Sequence, residues 1–421
     1  MDFKAHIREK TQNCQEETYQ SVSEHCINTA AYAEENGNGF DMPKTMRLIG
    51  LFHDIGKSTT EFDTYLERSA LGDPSVHRGD INHSSAGARK IMDSIPDGSS
   101  AQKLVKEMAA YTVAAHHGTF DELDLGGEDK FTQRVFHPQK EIHYSEVVKN
   151  CADWLKEEDY RSLISSAAQE MQSNLTKMRN VVKSASREYQ REIFLFELSC
   201  LQRMMLSSLV DADRRDTSEF MSGLNQKRLS TSEVIALWKH YDKLLEEKIS
   251  SFSNEGEINR LRQELSQQCA DFSIHDDGIY RLSIPTGGGK TYASMRYALK
   301  LAARTGKQHI IYTAPYLSIL EQNAGEYEKI FQDPQHILEH HSNVIVEKNG
   351  QDSSDTEELQ QWELLAEDWS APMILTTMVR LLDVLFGSSK QDIRRMHALC
   401  RSVIILDEAQ SIPVKMIDLV N

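Results

Sequence analysis

The spacing of apolar positions changes character part-way along the chain. Up to about residue 245 they recur at helical intervals. Residues 103–115, for example, carry Leu104, Met108, Tyr111 and Ala115 three or four apart, and β-branched runs are few. This stretch is expected to be almost wholly helical. A helix over residues 21–35 is expected to stop at Asn36-Gly37, a pair suited to the left-handed backbone of a helix end. Residues 250–256, rich in Ser, Asn and Gly, read as a flexible connector. Beyond them, short apolar strands at 280–284, 309–313, 373–376 and 402–406 alternate with helical stretches, the rhythm of a parallel α/β sheet. Residues 347–368 are acidic and polar and read as a surface excursion. The expected organisation is an all-α domain over 1–245, a linker over 246–258 and an α/β domain with a parallel sheet over 259–421.

Composition bounds the function classes. With 421 residues, 39% apolar and 26% charged, the chain has room for two globular domains. No apolar run approaches the ~18 residues of a membrane span, and the first residues, Met1 to His6, lack the apolar core of a signal peptide. The six cysteines, Cys14, Cys26, Cys151, Cys200, Cys269 and Cys400, are scattered without a C-x-x-C pair. That spacing argues against a zinc ribbon or a disulfide framework and fits a reducing cytoplasm, so a cytoplasmic location without membrane contact is expected. The net charge of −17 argues, taken alone, against nucleic acid. Phosphate contacts are local, however, and Lys177, Arg179, Lys183, Arg187 and Arg191 crowd one stretch. They read either as a strand path or as a solvated helix face, so charge does not decide the matter.

Candidate chemistry in the helical half rests on histidines and carboxylates. His53-Asp54 sits late in an apolar helical run, His25 lies upstream in another, and Asp211 lies at the end of a third. His83 and the doublet His116-His117 add three more imidazoles. The order His, His-Asp, Asp resembles the HD phosphohydrolase superfamily. Carried over position by position, the resemblance makes His25, His53, Asp54 and Asp211 ligands of one ion. It makes His83, His116 and His117 ligands of a second ion, with Asp54 bridging. Two such ions can activate water and stabilise an in-line phosphoryl displacement. Five imidazoles favour a transition metal (Mn, Fe, Co or Ni) over magnesium, which remains possible. Lys57 either contacts phosphate or is a helix-end lysine. Asp213 is expected on another face of its helix and is left out; His6, His77, His137 and His143 find no role.

The second half carries nucleotide motifs. After the strand at 280–284 come Thr286, Gly287, Gly288, Gly289, Lys290 and Thr291. Glycines let backbone amides converge on phosphates, Lys290 reaches the β/γ phosphates and Thr291 holds Mg²⁺. Ile284 stands where the full pattern wants Gly or Ala. Downstream, the strand at 402–406 delivers Asp407 to Mg²⁺ and Glu408 to the attacking water, followed by Gln410. This set resembles the DExH group of superfamily 2 helicases, with Gln410 in place of the usual histidine, and implies Mg-ATP as cofactor. Between the motifs, a segment with Pro315, Tyr316 and Gln322 and a later one with Thr376 and Thr377 resemble helicase segments that contact the DNA backbone.

A helical HD domain followed by a superfamily 2 motor resembles the CRISPR-associated type I helicase–nuclease family. Residues 208–214 and 314–323 look specifically like it. The resemblance implies recruitment by an RNA-guided surveillance complex of the Cascade type and nicking of single-stranded DNA by the HD site. ATP-driven 3′-to-5′ translocation with processive cleavage would follow. The sequence stops at Asn421 without the coupling motif or second RecA-like domain of such motors, so this chain is expected to cut single strands but not to unwind until a C-terminal half is supplied. The alternative is an HD nucleotidase or phosphodiesterase acting on small nucleotides, which explains the metal ligands and leaves the motor motifs idle.

Overall fold

Ser21 starts the first long helix as an N-cap: its backbone is extended and its hydroxyl accepts from the Glu24 amide. The helix, α1 (Val22–Gly37), ends at Asn36-Gly37 as expected, but not in a left-handed residue. Gly37 keeps φ −61°, and the left-handed residue is Asp41, after a 3-10 turn. A Cβ on Gly37 would lie 2.9 Å from the Met42 carbonyl and from Met46 Cγ, so close packing accounts for this glycine.

The computed structural model describes residues 2–8, 18–77, 79–121, 126–223, 228–285, 287–341 and 365–411. It divides into two compact units, Met1–Gln226 with Ser388–His397, and Lys227–Gly387 with Ala398–Asn421.

Among the described residues the first unit is helical as expected, except for one short antiparallel pair, β1 (Lys4–Arg8) with β2 (Thr18–Ser21). After α1 come α2 (Pro43–Phe52), α3 (Thr60–Ala70), α4 (Ser84–Ser94), α5 (Ser100–Ala115), α6 (Lys130–Phe136), α7 (Tyr144–Cys151), α8 (Glu157–Val182) and α9 (Gln190–Ser222). One apolar cluster unites them, with Met46, Phe52, Ala110, Val113, Met205 and Leu209 fully buried. α9 is long and apolar enough to cross a membrane by length and composition. Its Leu201, Met205, Leu209 and Ala212, however, are part of that same cluster. The basic stretch is exposed and split between the end of α8 and the start of α9, and Lys177 pairs with Asp41 at 2.6 Å.

The second unit begins earlier than the sequence suggests. α10 (Thr231–Ser250), opened by a capping box of Ser230 and Glu233, buries Trp238 and Tyr241 in the second unit's core. The Trp238 indole donates to the Lys307 carbonyl at 2.8 Å, and Tyr241 stacks on Phe331. The boundary therefore falls at residue 226 and not 245, because helical periodicity reveals an apolar face but not which body it packs against. Residues 246–250 of the expected linker form the last turn of α10, and α11 (Glu257–Phe272) claims its end. Then come α12 (Lys290–Thr305), β3 (His309–Ala314), α13 (Leu317–Phe331), β4 (Ile337–His340), β5 (Met373–Thr377), α14 (Met378–Phe386) and β6 (Ser402–Leu406). The strands form one sheet in the order β4-β5-β3-β6, parallel throughout. The expected strand at 280–284 does not form. Ile279 is 95% exposed and Tyr280 and Leu282 are exposed too, and the sheet order ends at β6. An apolar run becomes a strand only beside a hydrogen-bonding neighbour. Of the acidic excursion at 347–368, residues 347–364 lie outside the described residues, and Asp368 is buried against Arg228 at 2.8 Å.

Candidate metal centre and nucleotide site

α2 ends at Phe52, and the backbone turns at Asp54 (φ −122°, ψ 19°) into a 3-10 turn over Ile55–Lys57. This break lets the adjacent side chains of His53 and Asp54 aim into one region, which an unbroken helix would prevent. His25 arrives from α1, Asp213 from α9, His83 from the N-cap of α4, and His116 and His117 from the end of α5. The loops are pressed together: a Cβ on Gly56 would fall 2.0 Å from the His83 carbonyl.

Two ligand groups result, His25, His53, Asp54 and Asp213 in one and Asp54, His83, His116 and His117 in the other. Within each group the donor atoms lie within 4.8 Å of one another. Asp54 divides its carboxylate between them. Oδ2 lies 3.3 Å from His25 Nε2 and 3.5 Å from His53 Nε2, whereas Oδ1 lies 3.4 Å from His116 Nε2 and 3.7 Å from His83 Nε2.

The tautomers fit a cation. His53 Nδ1 donates to the Gly50 carbonyl at 2.8 Å, His116 Nδ1 to the Val113 carbonyl at 2.6 Å, and His25 Nδ1 to Asp216 Oδ2 at 2.6 Å. Each contact leaves Nε2 as the ligand atom. Nε2 of His53 and His25 then face each other at 3.2 Å, and Nε2 of His83 and His117 at 2.5 Å. Both Asp54 oxygens and His116 Nε2 are buried without a well-aligned hydrogen bond, and Asp54 Oδ2 has the Lys57 ammonium as its ion-pair partner. Imidazole nitrogens crowded around a buried carboxylate are costly without a cation among them, either a proton, as on His25 in the metal-free protein, or one or two metal ions. Burial lowers the pKa of His25, but Asp213, Asp216 and Asp54 outweigh it and push the value up to about 10. Burial raises that of Asp54, yet Lys57 and His53 hold it well below the usual carboxylate range. Lys57, 2.8 Å from Asp54 Oδ2, stays protonated despite burial because Asp54 and Asp213 face it.

In the second unit, Gly287 and Gly289 take left-handed φ of 80° and 86°, and Lys290 opens α12. A Cβ on Gly288 would meet Ile284 Cγ2 at 2.4 Å, so the residue that departs from the P-loop pattern packs under the loop. Lys290 Nζ donates to Glu408 Oε1 at 2.9 Å, and Glu408 also accepts from Gln410. Asp407 accepts from the Tyr312 hydroxyl at 2.5 Å; Asn323 donates to that hydroxyl at 2.6 Å and accepts from Thr291 at 3.5 Å. Lys290, Thr291, Asp407, Glu408 and Gln410 thus gather at the end of β6, while Thr286 lies outside the described residues.

A family model described as HD domain matches residues 22–155, and one described as DEAD/DEAH box helicase matches residues 266–418. The CRISPR-associated nuclease/helicase Cas3 of Haloferax volcanii is 33% identical over 150 residues, 32% of this chain and 16% of that protein. The chain is similar to the CRISPR-associated HD nuclease/helicases: it carries an HD domain followed by a DEAD/DEAH box helicase domain. Crystal structures of T. fusca Cas3, alone and with AMPPNP, share its fold at a TM-score of 0.51 and 16% identity. They cover 97% and 98% of this chain, which spans 47% of theirs, about half their length. An HD domain and a DEAD/DEAH box helicase domain imply use of a divalent metal and of ATP.

Within the HD domain the structure differs from the sequence reading at one ligand. Asp211 does not face the cluster. Its Oδ1 accepts from Arg394 Nε at 3.2 Å and its Oδ2 from Asn36 at 3.0 Å. Asp213 stands in the cluster instead, with Oδ1 3.4 Å from His25 Nε2. Two residues rotate a helical side chain by about 200°, so only one of the pair can face inward. Asp216, about 60° from Asp213 on the same helix, also joins the site, and Gln20 holds its Oδ2 at 2.8 Å. The i, i+3 spacing of Asp213 and Asp216 is the signal that the sequence reading passed over. His6 packs edge-on against His25 with ring centroids 4.7 Å apart, and burial drives its pKa down; nothing in its flanking residues marked it.

The expected DNA contacts divide in two. Tyr316 and Gln322 are exposed and Pro315 is half-buried. Thr376 is fully buried with its hydroxyl spent on the His340 carbonyl at 2.8 Å, and the Thr377 hydroxyl caps α14 by accepting from the Arg380 amide. The Thr376 hydroxyl is therefore withdrawn from a strand, whereas Thr377 is half-buried and uses only its acceptor.

Proposed function

We propose that the first unit is a two-metal phosphodiesterase that cuts single-stranded DNA, and that the second is the leading half of an ATP-driven DNA motor. The observation that supports it best is the Asp54 carboxylate, buried, ion-paired to Lys57 and shared between two imidazole groups. His25, His53, Asp54 and Asp213 would hold one divalent transition-metal ion, and His83, His116 and His117 with Asp54 a second. When bound, such ions acidify water and stabilise phosphate oxygens as Lewis acids. Lys57, protonated and buried beside Asp54, neutralises the phosphodiester and cannot serve as the base. Lys290 and Thr291 would bind the phosphates and Mg²⁺ of ATP, with Asp407 on the ion, Glu408 orienting water and Gln410 beside it. The work of the whole protein would be degradation of invading DNA in the cytoplasm, after recruitment by a Cascade-type guide complex and together with the second half of the motor.

The test is nicking of circular single-stranded DNA by the full chain in Mn²⁺, beside hydrolysis of dNTPs under the same conditions. Cutting of DNA with little dNTP turnover is expected. The reverse preference would make the protein a nucleotidase.

A further inference from the structure

Ser388–His397 lies in sequence between α14 and β6, both in the motor unit, yet it folds with the HD unit. Its helix, α15 (Lys390–Arg395), lies on α9. Ile393 packs with Leu206 and Val210 of α9 and with Ala115, the last residue of α5. Arg394 pairs with Asp211, and His397 Nε2 lies 3.5 Å from Asp211 Oδ2. Ser207 fastens the backbone twice: its hydroxyl donates to the Arg394 carbonyl at 3.0 Å and accepts from the His397 amide at 2.8 Å. Arg394 and Asp211 are both buried.

These contacts fall beside the metal ligands of both groups. Ala115 immediately precedes His116 and His117, and Asp211 is two residues from Asp213 on the same helix. One short segment therefore braces the end of α5 and the ligand-bearing turn of α9. On either side the chain passes within a few residues to α14 and to β6, whose end carries Asp407 and Glu408.

We infer that Ser388–His397 is a strap from the motor sequence that positions the metal centre, with Arg394 and Ile393 as its positioning residues. The inference rests on the proposed metal centre. Ligand groups bind an ion within a narrow range of distances, and supports outside the ligands set that range. A movement of the strap would shift Asp213 and His116 together, so the segment can carry the state of the motor to the nuclease.

The test is Mn²⁺ titration of the full chain with thermal unfolding of the metal-free protein alongside. Arg394→Met is expected to weaken Mn²⁺ binding about tenfold, and Arg394→Lys, which keeps the charge beside Asp211, to recover most of that loss. Wild-type Mn²⁺ affinity in a folded Arg394→Met protein overturns the strap and leaves the metal centre standing. Should Arg394→Met not fold, Ser207→Ala carries the same test without stranding a charge. A loss of about threefold there supports the strap, and wild-type affinity overturns it. Absence of Mn²⁺ binding by the unaltered chain overturns the metal centre and the strap together.

Discussion

Asp216 Oδ2 lies 2.6 Å from His25 Nδ1, and this contact decides which imidazole nitrogen is left for an ion. With Nδ1 committed, Nε2 points at Asp54 and Asp213. Asp216→Ala is expected to cost about 10–100-fold in Mn²⁺ affinity, the usual effect of removing an outer-shell carboxylate. Asp216→Asn, whose amide oxygen can still accept, is expected to lose less. Equal affinities for Asp216→Ala and the unaltered protein would show that His25 needs no such support.

Asp213 and Asp211 make opposite predictions. Asp213→Ala removes a ligand atom and is expected to abolish nicking. Asp211→Asn keeps every ligand atom and loosens only contacts outside the ligand set, with Arg394, Asn36 and His397, so nicking is expected to fall several-fold and no more. Single-turnover cutting rates of the two variants check this, and loss of all activity in Asp211→Asn alone would restore the earlier assignment.

This pair also shows where the sequence was informative. His25, His53, Asp54, His83, His116 and His117 were legible because an HD doublet in a fixed order with later histidines is rare by chance. The choice between Asp211 and Asp213 was not, because it depends on the phase of a long helix whose inward face only packing reveals. The strap was invisible for a different reason. Residues 388–397 are polar and charged and read as surface, yet Asp392, Arg394 and Arg395 are buried because they find partners on α9 and within α15. The parallel sheet was read from its strands, but the apolar run at 280–284 has no neighbour to make it one.

Asp54→Ala is expected to abolish nicking, and the structure adds a cost in stability. Lys57 is buried 2.8 Å from Asp54 Oδ2, so the substitution strands an ammonium group and should destabilise the metal-free protein by ~3 kcal/mol. Adding Lys57→Met should recover part of that loss without restoring activity. Denaturant unfolding of the single and double variants measures both effects. Near-normal metal-dependent nicking by a folded Asp54→Ala protein would sink the site.

Metal uptake should release protons. His25 has its pKa pushed up to about 10 in the metal-free protein, so at pH 7 it carries a proton that an ion must displace from Nε2. Affinity is therefore expected to rise with pH between 6 and 9, by up to about tenfold per unit for one proton released. Titration calorimetry of Mn²⁺ binding in buffers of different ionisation enthalpy counts the protons directly. Identical heats in all buffers at pH 7 would mean that His25 is already neutral.

Cutting of single strands is expected to need a divalent metal but no ATP. All seven side chains of the two ligand groups lie between His25 and Asp213, in the first unit, whereas the nucleotide motifs run from Gly287 to Gln410 in the second. A single strand presents nothing to unwind, so the chemistry requires only the ligand set and the strap that braces it. Rates with and without ATP should agree within about twofold, since a rate change of that size is under 0.5 kcal/mol. Lys290→Ala, which removes the phosphate-binding ammonium and its contact with Glu408, should leave those rates alone while weakening binding of a fluorescent ATP analogue. An absolute ATP requirement on single strands would overturn this separation of the two chemistries.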